Sequence, residues 1–522
     1  MARIGTSRDA IAVPAATGER TAVRQALRPT DGTSILRYEP TTTAGNSAVN
    51  TDASVLRGAA GLALLAASLA AGCDSAPSSP VATSPPRPQP AAATQLALAI
   101  LDLPRLADSA ALLRGEWAER TAGALAVSRV EAAEEAPAAL AAADVAIFPP
   151  HRLGALVAQG RLRPVRQSVR DDPAYAWNDL FGACEEETAV GGAVYALPLG
   201  SPPLMLVARA DWMAQENLQA PGAWSRLEEA LARQPADRRF LVPDDELAPA
   251  LALLARSAAW VWSSRRPEAL FDADAMTPRI ADAPYVAALE RLQAVATLVP
   301  ADPGGGPSWA AAVARLRRGA GLATCGWPGV DRDEPPAENP HAVRCLALPG
   351  DGRAFDFGSR AWEQAGVEGP PQILGAAGAM AGVLQGSRNA VAAFQLAAWL
   401  TSGERAVQLS TAGSETTWFR ASQRVDRSRW IGPVPDPDAA AAMERILVEQ
   451  PVWRLPRIPG QRRYLALLSR GVTAVVRGDA SPAESLRHVA EQWDELTDAL
   501  GRSAQRSAYR RDLGLESAGS VR

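Results

Sequence analysis

From Gln95 to Leu500 short apolar runs alternate with amphipathic stretches, and that alternation limits the fold more than any other feature. L-A-L-A-I-L-D, starting at Leu96, has the period of a strand. Ala107–Gly123 has the period of a helix and carries Trp117. Ala124–Val130 and Asp144–Phe148 read as further strands, separated by a short helical stretch at Pro137–Ala143. Leu153–Gln159 reads as a helix closed by Gly160. Helices are also expected at Leu227–Gln234, Pro284–Val295, Trp309–Arg318 and Asn389–Leu400. A strand is expected at Gly378–Val383, and a helical C-terminal stretch at Arg462–Leu500, broken at Gly478–Ser481. Strands alternating with helices predict an α/β protein with a mostly parallel, helix-covered sheet.

The part before Gln95 has a different character. Arg57 precedes an uncharged 14-residue run, Gly58–Ala71, followed by Gly72 and Cys73. A membrane-spanning helix needs about 20 apolar residues, so this run is too short to span. A basic residue, a short apolar stretch and small residues before a cleavage point are the parts of an export signal. Ending in Leu69-Ala70-Ala71-Gly72-Cys73, the run resembles a bacterial lipoprotein signal, although such signals place Leu where Ala70 stands. The resemblance implies that Cys73 is lipid-modified and anchors the chain outside the cytoplasm, at a periplasmic or cell-surface membrane face. Residues 1–54 then read as an N-terminal extension, 55–72 as the signal, and 73–93 as a Pro/Ser/Ala tether too poor in apolar surface to fold.

Composition narrows the partners. The 522 residues carry 53 basic and 57 acidic side chains, a net charge of −4, and every basic residue other than the three histidines is Arg. A nucleic-acid partner would require a basic face, which this balance does not supply. Besides Cys73 there are Cys184, Cys325 and Cys345, with no C-x-x-C pair, so no metal centre or other cofactor is expected. Cys325 and Cys345 stand in two strand-like runs joined by a proline-rich loop. They either bridge, leaving Cys184 single, or remain thiols. No H-E-x-x-H, G-x-S-x-G or G-x-x-x-x-G-K motif is present, so no catalytic residue is assigned. The run Glu185-Glu186-Glu187 reads as a solvated charged face.

Several segments together resemble the extracellular solute-binding proteins of ABC importers, especially sugar binders of the maltose-binding type. These are D-V-A-I-F-P-P-H-R-L-G-A-L-V-A-Q-G-R-L-R-P-V from Asp144, G-G-A-V-Y-A-L-P-L-G-S-P-P-L-M-L-V-A-R-A-D-W from Gly191, and G-A-G-L-A-T-C-G-W-P-G from Gly319. A-A-F-Q-L-A-A-W-L-T-S-G from Ala392 and the stretches Arg457–Gly478 and Ser481–Trp493 complete the set, in the family's order. The resemblance implies a two-lobed, type II periplasmic-binding-protein-like fold with mixed sheets, flanking helices and a hinge. Lobe one would hold residues 94–199 with 373–425, lobe two 200–372 with 426–500, and 501–522 would be a C-terminal tail.

It also implies a monomeric receptor that binds a small molecule, a carbohydrate, between its lobes and hands it to an ABC permease. A receptor of this fold that no longer transports would act as a sensor or scaffold. Sugars present flat C–H faces and rims of hydroxyls, which calls for aromatic platforms and planar polar side chains. By position in the family pattern, the ligand-binding residues would be Phe148, His151 and Arg152 at a strand end, Gly200 and Ser201 at the crossover, Trp327 after a strand, and Trp418 near the returning hinge. Where maltose-type binders carry an acid and an aromatic, this chain has Pro202 and Pro203.

Overall fold

β1 (Gln95–Leu101), β2 (Ala124–Val130) and β3 (Val145–Phe148) open the first sheet in the computed structural model of the protein. The structure is described for residues 94–131, 140–219, 222–263, 265–300, 308–327, 329, 340–365, 369–413, 415–431 and 438–517. The export signal, Cys73 and the tether lie outside these residues, as does the first part, 137–139, of the expected helix Pro137–Ala143. A small hairpin, β4 (Ala189–Val190) and β5 (Ala193–Val194), precedes β6 (Leu197–Pro198). The chain then crosses to a second sheet made of β7 (Met205–Arg209), β8 (Phe240–Asp244), β9 (Ala296–Pro300), β10 (Ala323–Gly326) and β11 (Val343–Leu346). A hairpin of β12 (Arg353–Asp356) and β13 (Ala361–Gln364) follows. β14 (Gln372–Leu374) leads back to the first sheet, which β15 (Met380–Val383) completes, and β16 (Val452–Arg454) pairs beside β14.

The two five-stranded sheets have the orders β2-β1-β3-β15-β6 and β11-β7-β10-β8-β9. Each is mixed. β1 is parallel to β2 and β3, while β15 runs antiparallel to β3 and β6. In the second sheet β8 is parallel to β9 and β10, and β7 is antiparallel to β10 and β11. The mostly parallel sheet read from local alternation is corrected here for a topological reason. β15 and β7 enter from the opposite lobe, so the βαβ rule that enforces parallel neighbours does not act on them.

The crossing segments pair with one another. Leu199 N donates to Ala379 O (2.9 Å), Ala379 N to Gly200 O (3.1 Å) and Leu204 N to Ile373 O (2.9 Å). A third segment presses on the same place. A Cβ on Gly200, whose φ is +99°, would lie 1.9 Å from Thr417 O, so only glycine lets these two backbones meet.

Most expected helices are found within two or three residues of their predicted ends, including Ala283–Val295, Ser308–Arg317, Ala390–Leu400, Gln461–Arg477 and Pro482–Ala499. The first expected helix is instead two, Pro104–Leu112 and Arg114–Thr121. Residues after 500 are not a tail throughout: Arg502–Asp512 is a helix with Ala508 and Tyr509 buried. The bridge between Cys325 and Cys345 is not formed. Cys325 pairs with Leu206 and Cys345 with Val207, so β7 stands between them and they face opposite sides of the sheet. Two strand intervals span about 9.6 Å, beyond the roughly 7 Å that a disulfide tolerates between Cα atoms.

Candidate functional site: the inter-lobe cleft

The strand ends of the two sheets converge on one cavity of about 330 Å3. In α/β sheets, ligands bind outside the carboxyl ends of strands, where loops can present side chains without disturbing the ladders. The first lobe brings Asp102 directly after β1, Pro149 and His151 after β3, the backbone of Ala376–Gly378 before β15, and Glu415. The second lobe brings Asp245 and Glu246 after β8, Trp327 after β10, Trp309 from the helix Ser308–Arg317, and Arg462 from the start of Gln461–Arg477.

Each polar group has a defined setting. Asp102 adopts a left-handed φ of +56°, which aspartate tolerates better than bulkier residues, and its N–H donates to Val130 O at 3.1 Å. Its Oδ2 accepts from Arg152 Nε (3.0 Å) and a terminal Arg152 nitrogen (2.7 Å). His151 Nε2 is buried without a hydrogen-bond partner among the described residues. Burial, reinforced by Arg462 and Arg152, holds the His151 imidazole well below its usual pKa, so the ring is neutral. A neutral imidazole both donates and accepts, as a ligand hydroxyl does.

Asp245 lies just before the helix Ala248–Val261, with its Oδ1 accepting from Leu247 N (2.8 Å) and Ala248 N (2.6 Å). Arg462 donates to Glu246 Oε2 at 3.1 Å. Burial raises the Glu415 carboxyl above its ordinary pKa, against the pull of Arg105 and Arg462 and with help from Asp102. Trp309 and Trp327 are 4% and 3% exposed and supply the apolar wall.

Of the residues singled out in the sequence, His151 and Trp327 line this cleft. Arg152 sits just behind it, 8% exposed and committed to Asp102. Phe148 is fully buried on the far side, in a cluster with Leu153, Leu156, Leu162 and Met380. Gly200 meets the Thr417 carbonyl at the crossover, and Ser201 is 1% exposed beside Gly378. Trp418 is fully buried, edge-on to Trp430 with ring centroids 6.2 Å apart. Asp102, Trp309, Glu415 and Arg462 were not singled out. The strand-end position of Asp102 was the one local signal that could have found it, because the other three reach the cleft through tertiary packing. Among the described residues no cluster of three or more His, Cys, Asp or Glu could hold a metal ion.

The model of the bacterial extracellular solute-binding protein family matches residues 125–426. The chain belongs to this family. No curated protein sequence matches it significantly. Solved structures similar to it include an ABC transporter solute-binding protein from Agrobacterium radiobacter K84 in complex with ribitol, at 18% identity and a TM-score of 0.55, covering 78% of this chain and all of that one. The sugar-binding protein MalE from Xanthomonas citri is similar at 17% identity with a TM-score of 0.60, covering 78% of this chain and 98% of that one. An ABC transporter solute-binding protein from Agrobacterium vitis S4 with bound D-mannitol is similar at 16% identity with a TM-score of 0.54, covering 78% of this chain and 99% of that one. These likenesses establish the two-lobed fold of solute-binding proteins. As a family member the chain is an extracellular binding protein. No helix among the described residues is long and apolar enough to cross a membrane.

Proposed function

We propose that this solute-binding protein captures a sugar or polyol in the inter-lobe cleft and delivers it to an ABC permease, without chemistry on the ligand. The observation that carries this reading is that both lobes supply groups to one cavity of about 330 Å3, polar on one side and tryptophan-walled on the other. Ligand pockets begin at roughly 300 Å3, so the cavity suits a small solute. The ribitol and D-mannitol bound by structurally similar proteins point to the same class. Trp309 and Trp327 would cover C–H faces. Asp102, Glu415 and neutral His151 would take hydroxyls, and Arg462 would add a donor from the opposite lobe.

Capture works by closure about the paired crossing segments. A ligand touching both lobes binds the closed form better and shifts the population toward it. The strand composition of the two sheets supports lobe boundaries near 199–204 and 373–379, with the return crossing after Trp418. The signal-like run that precedes Cys73 supports a lipid anchor at that residue, with the 73–93 tether holding the lobes off the membrane, and the receptor acts as a monomer.

Thermal unfolding of the purified protein against ribitol, mannitol, tagatose, maltose and sugar acids tests the reading. A bound ligand at 100 times its Kd stabilises the native state by about 2.7 kcal/mol, a measurable rise in melting temperature. A panel in which no member moves the transition would overturn the carbohydrate assignment.

A further inference from the structure

A second cavity, of about 500 Å3, lies in the second lobe between the β12–β13 hairpin and the C-terminal end of the helix Ala248–Val261, and it shares no lining residue with the cleft. Its walls are aromatic, including Trp260, Trp262 and Phe355. At their centre Arg353 has its guanidinium carbon 4.0 Å from the ring centroid of Trp362 and 4.7 Å from that of Trp260. Trp260 is also approached by Arg256, at 4.2 Å.

The charges in this cavity do not balance. Asp351 is taken by Arg256, at 2.8 Å, and Glu363 by Arg266, at 2.7 Å. Arg353 and Arg265 have no carboxylate within ion-pair distance among the described residues. The two rings stand at 87° to each other, so the planar guanidinium of Arg353 lies flat on at most one of them, and the N–H donors that neither ring takes can hold a carboxylate through hydrogen bonds. Trp260 Nε1 is a further buried donor without an acceptor among the described residues.

We propose that this cavity is a second binding site, for a small organic carboxylate with a cyclic body. The carboxylate meets Arg353, Arg265 supplies long-range attraction, and the ring lies against the aromatic wall. Because the cavity stands wholly in the second lobe, occupancy does not require the lobes to close.

Calorimetric titration of the full chain with D-glucuronate and with benzoate tests this, using glucose and benzyl alcohol as neutral counterparts and inorganic phosphate as an anion without a ring. At least one acid should bind with an affinity that Arg353→Gln weakens about tenfold or more, while benzyl alcohol and phosphate do not bind and any binding of glucose, at the cleft, is unchanged by that variant. Arg353 also props two tryptophans, so Arg265→Gln, at an exposed position, serves as a second variant that keeps the fold and should weaken binding severalfold. The proposal is overturned if neither acid binds, if benzyl alcohol or phosphate binds as well, if Arg353→Gln weakens glucose as much as it weakens glucuronate, or if an acid's affinity is the same in both variants as in the natural protein.

Discussion

Glu187 shows what a single residue's surroundings can do to its chemistry. Read in sequence as the last member of a solvated acidic run, it is 2% exposed, at the end of a helix tucked under the crossover. Burial pushes its carboxyl up to about 7, only partly offset by the Ser201 hydroxyl and by Arg457 and Arg454. The native state therefore keeps this proton up to about pH 7, whereas the unfolded chain releases it near the ordinary glutamate value of 4.5. Between those values the native state binds more protons, so its stability falls as pH rises, by about 3 kcal/mol in all. Glu187→Gln should stabilise the protein above pH 7 by roughly that amount and have little effect at pH 4. Denaturant unfolding at the two pH values reads the difference, and an equal effect at both would exclude a titrating carboxyl. The same scale explains which site residues could be read from sequence. His151 and Trp327 follow strands, and strand ends face the cleft. Phe148 belongs to β3, buried on both faces along its whole length, so hydrophobicity alone could not tell which face its ring would take.

At the scale of elements, most helices with an apolar stripe were legible, although Ala439–Glu449, striped at Ala442, Met443, Ile446 and Leu447, was not read. Gln461–Arg477 and Pro482–Ala499 carry clear stripes and a glycine stop at Gly478. Ala248–Val261 is buried almost all round and has no polar face to mark its period. The helix Arg502–Asp512 looked like a tail because it is strongly polar, and a few anchors hold it. Arg457 donates through Nε to Asp512 Oδ1 at 2.7 Å and through its backbone N–H to Oδ2 at 3.2 Å, and another of its nitrogens donates to the Glu187 carbonyl. With both side chains of the pair under a tenth exposed, removing one leaves a buried charge unmatched. Asp512→Ala should cost about 3–5 kcal/mol. A change under 1 kcal/mol in the denaturant midpoint analysis would mean that the final helix is dispensable.

Across the whole molecule, the ordered set of short family-like segments pointed to two lobes and a hinge, although no single strand could reveal its direction in the sheet. Sheet direction follows from which lobe a strand enters, a relation between segments more than 100 residues apart such as β3 and β15. For the same reason the second-lobe half of the cleft was mostly hidden: Trp309 and Arg462 lie far apart in sequence and reach one cavity only when the second lobe has folded. The central claim is that one ligand touches both lobes. Calorimetric titration of the strongest sugar or polyol into Glu415→Gln, from the first lobe, and Arg462→Gln, from the second, tests it directly. Each variant should lose about tenfold in affinity, the worth of one hydrogen bond to a charged group. Full affinity in either variant would contradict a ligand held between the lobes by these residues.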